Sequence, residues 1–76
     1  MQTTTSTLDA RGLNCPLPIL RTRKALASLD SGETLKIIAT DPGAVKDIDS
    51  FCNQTGHSLI ASNDEQGEYI FIVQKS

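Results

Sequence analysis

The sequence contains few of the residues from which disulfide, zinc and nucleic-acid sites are built. It has two cysteines, one histidine, one tyrosine, two phenylalanines and no tryptophan among 76 residues. Cys15 and Cys52 form no disulfide framework, so in a reducing compartment we expect free thiols, and with His57 they form no zinc-binding spacing. No aromatic side chains are interleaved with the basic residues, so direct binding of nucleic acid is not expected.

Long apolar runs and a large excess of one charge are also absent. The formal net charge of −2 gives no general attraction to nucleic acid or to anionic lipid. No apolar run approaches the length of about 20 residues that a membrane-spanning helix needs. The opening segment MQTTTSTLDA has neither the basic nor the apolar region of an export signal, so we expect a cytoplasmic protein that does not bind membranes.

The composition indicates one small globular domain over residues 1–76. Hydrophobic residues make up 38% of the chain and charged residues 21%, proportions unlike those of a disordered segment. A domain of this size buries only about 60% of the surface that its unfolded chain exposes, so it has one core at most. Little room is left for an enclosed substrate pocket.

Turn residues divide the chain into segments with the order βαβαββ. The patterns predict strands over residues 5–10, 34–40, 57–62 and 68–74, and a first helix over residues 16–29. Asp41 before Pro42 is typical of a helix start, so the second helix is predicted to begin there and to end at Gly56. The polar segment NDEQG is the predicted tip of a C-terminal hairpin. The expected fold is an α+β two-layer sandwich, with a four-stranded mixed sheet and both helices on one face.

The segment RGLNCPLPIL places Cys15 at the predicted start of the first helix. If Cys15 is the N-cap and Pro16 the first helical residue, Pro16 and Pro18 lack an N–H where a helix does not need one. The free N–H groups of Leu17 and Ile19 would then point at the Cys15 sulfur. These donors and the helix dipole predict a pKa of Cys15 below the usual value of about 8.5.

The loop before Cys15 is predicted to leave the sulfur accessible, because Gly12 lets the chain bend there. The alternative is that Cys15 is a small buried hydrophobic residue, as most free cysteines are. A helix N-cap lies at the edge of a fold, outside the apolar stripe, and this position favours a chemical role.

The first helix is predicted to present two different faces. Its core-facing residues are Ile19, Thr22, Ala25, Leu26 and Leu29. The opposite face collects Leu17, Leu20, Arg21 and Lys24, with Arg23 beside them. Scattered exposed leucines need no explanation. Next to a reactive thiol, however, an apolar and basic patch is suited to docking an acidic partner surface.

Cys52 is predicted to be a core residue, because it falls in the apolar stripe of the second helix. That stripe comprises Ala44, Ile48, Phe51, Cys52 and Thr55. The alternative is a resolving thiol for Cys15. His57 follows Gly56 at the entry to the third strand, and we interpret it as structural.

Two segments, LDARGLNCPLPIL and GETLKIIATDPGAVKDIDSFCNQTGHSLI, resemble the TusA family of sulfur carriers, also called SirA-like, and together they cover most of the chain. The family signature Cys-Pro-x-Pro is here Cys15-Pro16-Leu17-Pro18, preceded by Gly12. The resemblance implies the βαβαββ sandwich and a persulfide on Cys15, with Gly12, Pro16 and Pro18 shaping the site. It implies neither a cofactor nor a metal.

The resemblance also implies partners, because the protein would act in a sulfur relay and not as a stand-alone enzyme. We expect it to be a monomer. The implied donors are cysteine desulfurases and rhodanese-like sulfurtransferases, and the implied acceptors are DsrE-like relay proteins. These serve tRNA 2-thiolation or sulfur oxidation, and the family is also linked to molybdenum-cofactor supply and regulation. Some family members in tRNA thiolation have Glu where this chain has Leu17, which changes the charge beside the sulfur.

Two other functions remain open from the residues. In a non-catalytic interaction or regulatory module, Leu17, Leu20 and the basic face bind a protein, Cys15 is incidental, and Cys15→Ala preserves function. In a thiol oxidoreductase, Cys15 and Cys52 act as a pair. This function requires Cys52 near the surface, against its place in the apolar stripe, and the chain has no Cys-x-x-Cys motif.

Overall fold

Residues 6–76, described by a computed structural model, form a four-stranded sheet and two helices. The elements are β1 (Ser6–Ala10), α1 (Leu17–Ala27), β2 (Thr34–Ala39), α2 (Ala44–Thr55), β3 (Ser58–Glu65) and β4 (Glu68–Gln74). The predicted order βαβαββ is therefore confirmed. Thr5, the first residue of the first predicted strand, lies outside the described residues. Neither helix in residues 6–76 is long and apolar enough to span a membrane.

The sheet is mixed and has the strand order β1-β2-β4-β3. β1 pairs in parallel with β2, and α1 provides the crossover between them. β4 pairs antiparallel with both β2 and β3, so the C-terminal hairpin completes the sheet. This arrangement confirms the α+β sandwich that the periodicity predicts.

The core lies between one face of the sheet and the two helices. Alternate residues of the central strands are fully buried, among them Leu35 and Ile37 of β2 and Phe71 of β4. They meet Leu26 of α1 and Ile48 of α2 in one cluster of buried side chains. Period-2 burial in the strands and period-3.6 burial in the helices direct both sets of residues to the same interior.

The predicted stripes of both helices are largely correct. In α1, Thr22 and Leu26 are buried, and Pro18 is buried with them. In α2 the buried residues are Ala44, Ile48, Phe51 and Cys52. Thr55, the last residue of the predicted stripe, is exposed instead. Its hydroxyl donates a hydrogen bond of 2.7 Å to the Phe51 carbonyl within the same helix.

The element boundaries differ from the predictions at the turns. α2 begins at Ala44 and not at Pro42, because Asp41 closes a turn in which its carbonyl accepts the Ala44 N–H at 2.9 Å. The predicted end of that helix at Gly56 is confirmed, with a φ of 84°. The hairpin tip contains only Gln66 and Gly67, with φ of 51° and 83°, and the predicted five-residue tip is wrong. Positive φ at both residues is typical of the tight turn that matches strand twist.

Candidate functional site

Two loops meet at the edge of the sheet where the parallel strands β1 and β2 end. Ala10 and Ala39, the last residues of these strands, are paired across the sheet. The loop that carries Cys15 comes after β1, and the turn that carries Asp41 comes after β2. Because β1 and β2 are parallel neighbours, the segments that leave them lie side by side.

Hydrogen bonds to the second loop hold the first one in place. The Gly12 N–H donates to the Thr40 hydroxyl at 2.9 Å, and Gly12 has a φ of +80°. This conformation is rare for residues with a side chain, so the bend requires glycine. The Cys15 N–H donates to Asp41 Oδ2 at 2.8 Å, while Asp41 Oδ1 accepts the Gly43 N–H at 3.1 Å. One carboxylate therefore serves both loops.

Cys15 is not the N-cap of α1, so that prediction is wrong. Pro16 occupies the cap position, and no side chain of the described residues caps the helix. The Leu17 N–H donates to the Asn14 carbonyl at 2.8 Å and is not free to bind the sulfur. The Cys15 thiol is exposed, which excludes the alternative of a small buried hydrophobic residue.

The predicted direction of the Cys15 pKa shift is also wrong. Hydrogen bonding to the Asp47 carboxylate raises the pKa of the Cys15 thiol, and partial loss of solvent and the negative charges of Asp47 and Asp41 add to this. A nearby negative charge disfavours a thiolate. The charges that act on the Cys15 thiol are thus the carboxylates of Asp47, in α2, and Asp41, in the turn before it. The sequence interpretation predicts only N–H donors there.

Cys15 opens onto a groove of about 190 Å³ between the two helices. The lining residues are Cys15, Pro16, Ile19, Arg23, Asp47, Ser50, Phe51 and Gln54. The Arg23 guanidinium lies over the Phe51 ring, 5.7 Å from its centroid, which places a cation in the groove with the Asp47 carboxylate. The protein therefore has an open groove beside the thiol.

The sequence interpretation misses the part of the groove that α2 contributes. Asp47 and Ser50 are three residues apart, and Phe51 and Gln54 continue the same face at helical spacing. That spacing, together with the parallel βαβ unit, is the signal that could assign Asp47 to the site. For Asp41, the sequence indicates only a local role at a helix start.

The other predicted site residues lie along α1. Leu17 and Leu20 are 44% and 53% exposed, although both are large and apolar. Arg21 and Lys24 are also exposed. Pro18 differs from Pro16, because Pro18 is buried against the core while Pro16 is exposed on the groove.

Cys52 and His57 make contacts typical of residues with a structural role. Cys52 is only 5% exposed, as predicted for a core residue, and burial raises the pKa of its thiol. With Cys15 exposed and Cys52 buried, the structure disfavours the pairing that a thiol oxidoreductase needs. The His57 ring lies 5.7 Å from the Phe51 ring, and its Nδ1 accepts the Ser76 N–H at 3.1 Å.

The remaining charged features lie near the hairpin. A wide concavity at its tip is lined by Asp64, Glu65, Gln66 and Glu68. Arg11 pairs with Asp9 at 2.9 Å and with Glu68 at 3.5 Å, and the hydrogen bond to Arg11 lowers the pKa of Asp9 to about 2. Over residues 6–76, no three His, Cys, Asp or Glu side chains are grouped so that they could hold a metal ion.

Comparison with known proteins shows that the chain is similar to proteins described as TusA. Residues 6–75 match the family model described as Sulfurtransferase TusA. The chain is 56% identical over 69 residues to the sulfur carrier protein TusA of Allochromatium vinosum, covering 91% of each chain. It is 44% identical over 70 residues to the sulfur carrier protein TusA of Pseudomonas entomophila, covering 92% of this chain and 88% of that protein.

One solved structure supports the fold independently of sequence. The crystal structure of a SirA-like protein from Desulfitobacterium hafniense aligns with a TM-score of 0.80 at 22% identity. The alignment covers 91% of this chain and 95% of that chain. At this level of identity the similarity shows the fold alone.

Proposed function

The chain belongs to the TusA family of sulfur carriers, and from that premise we propose that it carries sulfur as a persulfide on Cys15 within a single domain. The observation that carries the proposal is the contrast between the two thiols. Cys15 is exposed on a loop that Asp41 and Thr40 hold in place, whereas Cys52 is buried. Only Cys15 can meet a sulfur atom on another protein without unfolding.

The proposed chemistry is an exchange of one sulfur atom between thiols. The Cys15 sulfur, as a thiolate, attacks the terminal sulfur of a donor persulfide R–S–SH. The new bond forms Cys15–S–SH, and the donor S–S bond breaks with its electron pair on the donor sulfur. An acceptor thiolate then attacks the terminal sulfur of Cys15–S–SH and releases the Cys15 thiolate. Each step exchanges one S–S bond for another, so no external oxidant is needed.

The open groove suits a carrier that must meet two partners in turn. A sulfur carrier exchanges sulfur with a donor and with an acceptor, so its reactive atom has to reach both. We propose a cysteine desulfurase or a rhodanese-like protein as donor and a DsrE-like relay protein as acceptor. The proposal includes a cytoplasmic location, where thiols remain reduced.

The experiment is intact-protein mass spectrometry after incubation with a cysteine desulfurase and cysteine. Wild type should gain about 32 Da per sulfur atom, and reductant should remove the gain. Cys15→Ala should gain nothing, while Cys52→Ala, the matched control, should gain the same mass as wild type. If the desulfurase does not load the protein, a rhodanese with thiosulfate is the second donor.

The rival function is an interaction or regulatory module in which Cys15 is incidental. The exposed Leu17 and Leu20 are the observation that favours it. Failure of both donors to load wild type would support this rival, and an adduct on Cys52 would contradict the assignment of sulfur to Cys15.

A further inference from the structure

Asp47 is the ionisable side chain of α2 that shares the groove with the Cys15 thiol. It lies in the first turn of the helix, where its N–H donates to the Gly43 carbonyl at 3.1 Å. The Cys15 backbone N–H donates a hydrogen bond to the Asp41 carboxylate at 2.8 Å. The Cys15 thiol and the Asp47 carboxylate therefore line the same groove, and the interaction with Asp47 raises the pKa of the thiol.

The charges around this pair come from three segments. Asp47 belongs to α2, Asp41 to the turn before α2, and Arg23 to α1. Asp41 already accepts two N–H groups with its two oxygens. Arg23 lies over Phe51 and is the cation among the residues that line the groove. Asp47 is thus the carboxylate that is in position to receive a proton from the thiol.

We propose that Asp47 takes the proton of the Cys15 thiol during sulfur transfer and returns it to the sulfur that leaves. This inference rests on the proposed persulfide chemistry at Cys15 and adds a second catalytic residue to it. A positioned carboxyl group can act first as a base and then as an acid in one exchange.

In the loading step, the proton moves from Cys15 to the donor by way of Asp47. The Asp47 carboxylate accepts the proton as the Cys15 sulfur bonds to the terminal sulfur of R–S–SH. The donor S–S bond breaks, and its electron pair stays on the donor sulfur. The neutral Asp47 carboxylic acid then gives its proton to that sulfur. The products are Cys15–S–SH and R–SH, and Asp47 is again a carboxylate.

The same residue serves the delivery step. When an acceptor thiol attacks the terminal sulfur, Asp47 accepts the acceptor's proton and passes it to the departing Cys15 sulfur. A thiol with a high pKa is a poor leaving group as a thiolate, so protonation as it departs removes that disadvantage. One carboxyl group in the groove therefore assists transfer in both directions.

The test compares Asp47→Asn with Asp49→Asn in two assays. Asp49 is on the same helix and exposed, and it is not among the groove-lining residues, so its variant is the matched control. One assay is the rate at which iodoacetamide alkylates Cys15, located by peptide mass. The other is the single-turnover rate of sulfur transfer from a persulfide-loaded cysteine desulfurase.

The two rates should change in opposite directions. Asp47→Asn should be alkylated severalfold faster, with its pH profile moved to lower pH, because the carboxylate that retains the thiol proton is gone. Its transfer rate should fall at least about tenfold, because the positioned acid–base group is gone. Asp49→Asn should match wild type in both assays, and Asp47→Glu should recover part of the transfer rate.

Other outcomes overturn the inference. If both rates of Asp47→Asn rise, the carboxylate only suppresses the thiol, and if both fall, Asp47 only supports the loop. Thermal unfolding checks that the variant is folded, and Asp47→Ser replaces it if it is not. If wild type itself takes no sulfur, the proposed function fails and this inference fails with it. A loaded wild type with unimpaired transfer in Asp47→Asn overturns the inference alone.

Discussion

The two cysteines have the same side chain and opposite surroundings. Carboxylates beside Cys15 raise the pKa of its thiol, and the surrounding core raises the pKa of Cys52. Both thiols therefore hold their protons more firmly than free cysteine does. For Cys15, which is exposed, we expect the smaller thiolate fraction to slow reaction with small oxidants relative to an exposed thiol of ordinary pKa.

The first prediction at this scale concerns the titration of Cys15. The rate of iodoacetamide alkylation in wild type should rise with pH and reach half of its maximum above about pH 8.5, the value for an unperturbed cysteine. The reason is that deprotonation places a negative charge next to Asp47 and Asp41. Glutathione measured in parallel is the reference thiol. A midpoint lower than that of glutathione would mean that the N-terminus of α1 outweighs the two carboxylates.

At the scale of elements, Asp41 connects the loop after β1 to the turn after β2. The sequence indicates a helix-start aspartate there, and one of its oxygens does accept the Gly43 N–H. The other oxygen binds the Cys15 N–H, 26 residues away in sequence. Periodicity and turn signals describe neighbours along the chain, so they predict the first hydrogen bond and miss the second.

The second prediction tests this connection with Asp41→Ala. Loss of the two hydrogen bonds should lower the free energy of unfolding by about 1–2 kcal/mol, because each bond to a charged acceptor contributes modestly at an exposed site. The amide hydrogen of Cys15 should also exchange faster. Denaturant titration and hydrogen exchange measure the two effects, and Asp49→Ala is the control for removal of an exposed aspartate. Unchanged exchange at Cys15 would contradict the connection.

The strands and helices themselves are within reach of the sequence. The β-branched segment of β2 and the Gly56 stop of α2 are set by local chemistry, and both are confirmed. The hairpin tip is shorter than predicted because cross-strand pairing extends β3 to Glu65, through polar residues that by propensity resemble a loop. The groove depends on how α1 and α2 pack against each other, and this packing cannot be predicted from the sequence pattern of either helix alone.

At the scale of the whole molecule, the helices cover one face of the sheet, and within residues 6–76 part of α1 has no packing neighbour. Leu17 and Leu20 remain exposed there, with Arg21 and Lys24 on the same helix. We propose this apolar and basic surface, on the helix that begins just after Cys15, as the docking surface for an acidic donor. Charge complementarity of this kind mainly sets the rate and specificity of association.

The third prediction, at this largest scale, concerns the double variant Arg21→Glu with Lys24→Glu. It should bind a partner cysteine desulfurase about tenfold more weakly, and the difference should shrink at high salt because exposed charges are screened. Both side chains are exposed, so the unfolding transition should stay close to that of wild type. Lys46→Glu, on α2, is the control for an added negative charge. Equal transfer rates in wild type and double variant would remove the docking hypothesis.

The burial of Cys52 means that chemical labelling of this thiol can report local unfolding of the protein. Because Cys52 is only 5% exposed, we expect its thiol to react with a reagent mainly when the structure around it opens locally. The ratio of label on Cys52 to label on Cys15, measured over time, therefore reads how often the molecule opens. This measurement of local unfolding needs neither a fluorophore nor an added tag, because both thiols belong to the native sequence.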